Sequence, residues 1–152
     1  MNNSVTKKIR QFYCIYQKIT KFSDIYLMGI LMLVSRIWMA RVFGNSGLNK
    51  LLDWDVALYL FEYEYKIPFL PYYLSAVLAT ATEITCSVAL MLGIFSRLFS
   101  IPLLILTIVI QFTYLNFLEH FYWALILSII IFYGPGIYSV DYIIKSKLKH
   151  NI

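Results

Sequence analysis

The chain reads as an all-α membrane protein: a four-transmembrane-helix bundle with an N-terminal amphipathic segment and a short interfacial helix in its first outer loop. Three observations predict this. Of its 152 residues 61% are hydrophobic and 14% charged, against about 25% charged in an ordinary soluble domain, more apolar surface than a core of this size hides. The apolar runs are continuous rather than alternating. Hydrocarbon admits only helices and closed barrels, and continuous runs select helices. Finally, the net charge of +5 comes from cations at the two chain ends, beside apolar runs. That is a topology signal and excludes a basic nucleic-acid face.

The elements follow in order. Residues 1–23 are basic and periodic. Val5, Ile9, Phe12, Tyr16 and Ile19 share one helical face, and Lys7, Lys8, Arg10, Lys18 and Lys21 supply charge. This suits a helix lying on an anionic membrane surface; a frayed basic tail is the alternative. Arg36 and Arg41 in the next apolar run, with no small-x-small site, argue against a cleaved signal peptide. The membrane domain covers residues 24–143, with a first span from Tyr26 to Phe43. Gly44, Asn45 and Gly47 are expected to break that helix. In the loop that follows, Asp53 is placed to cap a short helix starting at Trp54, with Val56, Tyr59, Leu60 and Tyr63 on one face. Its tyrosines and tryptophan suit a membrane–water interface, and Pro68 and Pro71 end it.

The second span runs from Tyr72 to Leu92. The short turn "GIFS" makes it an antiparallel partner of the third, from Leu98 to Leu115, with Pro102 in its first turns where a missing N–H matters least. The fourth runs from Phe121 to about Tyr133 or Tyr138, with "GPG" (Gly134, Pro135, Gly136) breaking or ending it, and residues 144–152 form a basic tail. Four spans put both termini on one side. The terminal lysines and Arg97 make that side cytoplasmic, since the other loops hold Asp53, Asp55, Glu62, Glu64 and Glu119 against Lys50 and Lys66.

One carboxylate disturbs the apolar pattern. Glu83 lies halfway along the second span and Arg36 halfway along the first. An isolated charge at that depth costs about 2.5–3.5 kcal/mol on insertion scales. The two are therefore expected to meet inside the bundle, with arginine supplying a planar charged fork. The pair either fixes helix register or forms part of a ligand site; a protonated Glu83 is a third possibility. Ala76, Ala79, Thr80, Cys86 and Ser87 flank Glu83 at helical spacing, the small residues of a close helix contact. Thr80 and Ser87 are hydrogen-bond candidates for the carboxylate or for a neighbouring helix. Arg41, Gln111, Tyr114 and His120, with Asn116 and Glu119, fall at the outer side and are candidates for a polar mouth. Ordinary interfacial residues would look the same.

No cofactor motif accompanies these residues. Cys14 and Cys86 lie in different regions and form no C-x-x-C pair, so neither a disulfide framework nor a thiol redox motif is indicated. His120 and His150 fall on opposite sides, against a shared haem, and neither joins a cysteine pair for zinc. There is no dinucleotide fingerprint or phosphate loop.

Taken in order, the motifs resemble the DoxX family of small bacterial membrane proteins. The resemblance begins at Arg36 and continues through "FGNSGLNKL" (Phe43 to Leu51), Pro68, Glu83 and "LGIFSRL" (Leu92 to Leu98), closing on "GPGIYSVD" (Gly134 to Asp141). The family's patterned residues fall on Arg36, Gly47, Lys50, Glu83, Gly93, Arg97, Gly134, Pro135, Gly136, Ser139 and Asp141. Arg41 stands where an apolar residue is expected, and the long basic start is an addition. Structural roles suffice for several: Gly47 for a positive-φ turn or close packing, Ser139 as a cap for the helix of Asp141, Lys50 as a partner of Asp53 or Asp55.

The resemblance implies a multi-pass protein of the bacterial cytoplasmic (inner) membrane. Some members are linked to quinone-dependent sulfur oxidation or oxidative-stress complexes, and most have no assigned activity. Three readings stand. The first is an accessory or quinone-binding subunit of a membrane redox system; the 18% aromatic content offers flat surfaces for a quinone ring. The second is a non-enzymatic scaffold or assembly protein acting through a protein partner or self-association. The third is a small transporter, which lacks the internal repeat such folds show.

Overall fold

A computed structural model of the chain describes residues 3–113 and 118–150, and every regular element among them is helical. Helix α1 is Asn3–Leu52 and α2 is Trp54–Tyr59, continued by a wider π-helical stretch, Leu60–Tyr65. Then come α3 (Tyr72–Leu92), α4 (Ser96–Thr113), α5 (Leu118–Tyr133) and α6 (Val140–His150). Stretches of α1, α3 and α4 are long and apolar enough to cross a membrane. Helix α5 is apolar but has 16 residues, short of the roughly 20 that a perpendicular span needs.

The largest departure from expectation is α1. No break occurs at Gly44, Asn45 or Gly47, and the helix runs unbroken for 50 residues. The reason is packing. A Cβ on Gly47 would lie 2.8 Å from Ile84 Cγ1 and 3.2 Å from Glu83 Cβ. Glycine here lets two helices approach closely, which outweighs its poor helix propensity of about 1 kcal/mol. The positive-φ turn considered for Gly47 is not formed. The basic start is continuous with the apolar part of α1, and Phe12, Tyr16 and Ile19 are exposed; the side chains of Val5 and Ile9 lie outside the described ones.

Helix α1 packs mainly on α3, and α4 on α5. Ala76, Ala79, Thr80, Glu83, Cys86 and Ser87 are all buried, so the small-residue stripe is the inward face of α3. Met39, Ala40, Phe43, Cys86, Leu90, Leu103, Leu127 and Ile130 form the main core. A second cluster seats Phe61 on Ala76 and Ala79, while Val56, Tyr59 and Tyr63 face outward. Asp53 precedes α2 as expected, but its side chain makes no capping bond.

Three short devices tie one end of the bundle. Gly93 ends α3 at φ 74°, and the N–H groups of Gly93 and Ile94 both reach the Ala89 carbonyl, at 2.9 and 3.0 Å. The Asp141 carboxylate accepts from the N–H groups of Phe95 (2.8 Å) and Ser96 (3.1 Å), capping α4 from a distant part of the chain. Ser139 Oγ accepts from the Tyr142 N–H at 3.1 Å and caps α6, the role its position predicts.

Candidate functional site: a buried ion pair beside a small cavity

Helices α1 and α3 run antiparallel, which sets the polar partners. Gly47 faces Glu83 and Ile84, and Gly44 faces Ser87. Lys50, one turn beyond Gly47, therefore reaches Glu83. Its Nζ lies 2.8 Å from Oε1 and 2.7 Å from Oε2. It also donates to Ser46 Oγ at 2.8 Å, and Ser46 donates to Glu83 Oε1 at 3.4 Å. The carboxylate is 2% exposed and the ammonium side chain 11%. Such a pair has left water almost completely, so its charges are compensated chiefly by each other and by Ser46.

Arg36 and Glu83, expected to meet, do not. Both are buried, but Arg36 donates to the backbone carbonyls of Leu90 (3.5 Å) and Tyr138. The expectation placed Arg36 at mid-helix because it ended the first helix near Phe43. With α1 extended to Leu52, the antiparallel register moves Arg36 to the level of Leu90 and Gly93. Glycine at position 93 makes room there, since a Cβ would overlap the guanidinium. Lys50 pairs with Glu83 rather than with Asp53 or Asp55. Nor do Thr80 and Ser87 serve the carboxylate: Ser87 Oγ donates to the main-chain carbonyl of Glu83, and Thr80 Oγ1 has no partner among the described residues.

Beside the ion pair is a cavity of about 190 Å³. Ser46, Lys50 and Glu83 line one side, and Phe43, Thr107, His120, Trp123 and Tyr65 the rest. His120 Nδ1 lies 3.1 Å from Gln111 Oε1, and its ring centroid is 5.0 Å from that of Trp123. Two members of the anticipated outer cluster, Gln111 and His120, are thus together, and His120 shares the cavity with Glu83. Arg41 is exposed and does not line it. Tyr114 and Asn116 lie outside the described residues.

The cavity sets an acid–base pair and an imidazole around one small void with aromatic walls. Chemically, it offers an ammonium donor, a carboxylate acceptor and a ring nitrogen to a ligand entering beside Trp123. Sequence reasoning missed Ser46, Lys50 in this role, Tyr65, Thr107 and Trp123. Phe43, Gly47 and Lys50 follow one another at spacings of four and three, which would have put them on one face had the helix been continued past Phe43. No group of His, Cys, Asp and Glu among the described residues is arranged to hold a metal ion.

Comparison with known proteins identifies a family. The DoxX family model aligns with residues 31–116, more than half of the chain and the part containing α3, α4 and the Lys50–Glu83 pair. The closing Gly134 to Asp141 motif falls beyond the aligned part. No curated protein and no solved structure matches. With its apolar helices and this alignment, the chain belongs to the DoxX family of multi-pass integral membrane proteins.

Proposed function

We propose that the protein is a ligand-binding subunit of a redox system in the bacterial cytoplasmic membrane, and that the Lys50–Glu83 cavity receives the carbonyl-bearing ring of a quinone. The observation that carries this reading is the shared lining: a buried ammonium, its carboxylate and His120 border one void walled by Phe43 and Trp123. A quinone oxygen takes the Lys50 N–H that otherwise goes to Ser46 Oγ, the ring lies against aromatic faces, and His120 borders the same void. The volume of about 190 Å³ is below the roughly 300–1,000 Å³ of pockets that enclose whole drug-sized ligands. It suits a single ring whose tail stays in lipid.

The same reading has the chain cross the membrane four times. Arg97 at the start of α4 donates to the Tyr133 carbonyl at the end of α5, 3.2 Å away. Helix α5 therefore returns to the end from which α4 sets out; its 16 residues rise about 24 Å, so the residues flanking it complete a core about 30 Å thick. Arg97, the lysines of α6 and the basic start of α1 favour the cytoplasm for that end and for both termini. Trp54, Tyr59 and Tyr63 suit the opposite interface.

The test is to purify the protein in mild detergent and identify bound small molecules by mass spectrometry, beside Lys50→Met and Glu83→Gln at matched yield. Quinone in the native protein and its loss from both variants is the expected result. A native protein without quinone, holding a stoichiometric protein partner instead, would sink this reading in favour of a scaffold. The exposed Phe12, Tyr13, Ile15, Tyr16, Ile19 and Phe22 of α1 are what favours that second reading.

A further inference from the structure

A second concavity lies at the other end of the bundle from the ion pair. It is a groove of about 520 Å³ between the start of α4, the end of α5 and α6, and its lining includes Arg97, Leu98, Tyr133, Ile137, Tyr142 and Lys145. We propose that this groove binds an anionic phospholipid, with the headgroup phosphate between Arg97 and Lys145 and an acyl chain running along α4. The proposal is independent of the quinone reading, which concerns a different cavity.

Charge comes first. Arg97 and Lys145 are both exposed. Arg97 commits one nitrogen to the Tyr133 carbonyl, and a guanidinium has five N–H donors, so its remaining donors are available. The anion in the lining, Asp141, has its two carboxylate oxygens occupied by the N–H groups of Phe95 and Ser96. It is held by the backbone at the start of α4 rather than by either cation. The groove thus presents two cations to one already capped carboxylate. Basic pockets between membrane helices on the cytoplasmic side bind acidic headgroups for this reason.

The walls decide between a lipid and a soluble anion. Leu98 opens a ridge that continues along α4 through Ile101, Ile105, Ile108 and Phe112, all exposed. Spacings of three and four keep these side chains on one face. A phosphate seated at Arg97 would leave its acyl chain lying on this ridge. Tyr133 and Tyr142, also exposed, place aromatic rings where interfacial tyrosines normally sit. A free phosphate ion would gain nothing from either feature.

The test is a lipid titration of the delipidated protein in detergent, read by native mass spectrometry, with phosphatidylglycerol against phosphatidylcholine. Lys145→Gln should weaken phosphatidylglycerol binding about fivefold. Lys147→Gln removes the same charge from the same helix, outside the groove, and should leave binding unchanged. Arg97→Gln should weaken binding at least as much, but Arg97 also braces Tyr133, so Lys145 carries the test. Equal binding of the two lipids, no effect of Lys145→Gln, or equal effects of the two lysine variants would overturn the proposal. Displacement of the lipid by inorganic phosphate at equal concentration would also overturn it, by marking a plain anion site.

Discussion

Lys50 Nζ sits 2.7 Å from Glu83 Oε2, bridging two antiparallel helices in the interior of an apolar bundle. Each charge makes the other's burial tolerable. Removing one leaves an uncompensated charge in a medium with little to solvate it, so Lys50→Met alone should destabilise the protein by about 3–5 kcal/mol. The double variant Lys50→Met, Glu83→Leu should recover most of that loss. Chemical unfolding in detergent measures both. A double variant no more stable than the single would show that the two charges are not coupled.

Gly47 and Gly44 lie one turn apart on the face that meets α3, yet alanine should act oppositely at them. At position 47 the new methyl comes 2.8 Å from Ile84 Cγ1, while at 44 the nearest atom is Ser87 Cβ at an ordinary 3.5 Å. Gly47→Ala should cost about 1–3 kcal/mol through overpacking. Gly44→Ala should be neutral or stabilise by up to about 1 kcal/mol through helix propensity. Thermal unfolding of the pair distinguishes them.

Asp141 caps a helix that begins 45 residues before it in the chain. Asp141→Ala should remove about 0.5–2 kcal/mol and hasten hydrogen exchange at the Phe95 and Ser96 amides. Asp141→Asn should retain most of the protection, since an amide oxygen accepts the same bonds. Unchanged exchange in the alanine variant would show that the cap is not sustained in solution.

Arg36 holds the carbonyls of Leu90 and Tyr138 from one guanidinium. Arg36→Met should leave the Tyr138 carbonyl unsatisfied at a cost of about 1–3 kcal/mol, while the Leu90 carbonyl keeps the Gly93 N–H at 3.2 Å. The segment from Gly134 to Ser139 should then become more accessible to limited proteolysis. Equal resistance in the variant and the native protein would show that this contact does not hold the segment in place.

Much of this architecture was legible in the sequence, and the failures share one cause. Composition alone announced apolar helices, and the mid-helix position of Glu83 correctly marked a buried carboxylate. Ser139 preceding Asp141 announced a cap. What failed was register. Glycine is both a helix breaker and a close-contact residue, and local sequence does not say which; α3 settles it by pressing Ile84 and Glu83 against Gly47. Ending α1 near Phe43 put Arg36 opposite Glu83 and left Lys50 in a loop, where Asp53 and Asp55 were its natural partners. The cavity was out of reach for another reason: His120 and Trp123 meet Lys50 only once α5 is packed on the bundle.

The unbroken α1 has a mechanical consequence. Arg36 and Lys50 stand about 21 Å apart on one rod, each latched to groups on other parts of the chain. A helix is stiff along its axis, so any axial slip that draws Lys50 away from Glu83 also draws Arg36 off the Leu90 and Tyr138 carbonyls. The two latches open together or stay shut together, and the cavity at one end of the bundle is held in gauge by a fastening at the other.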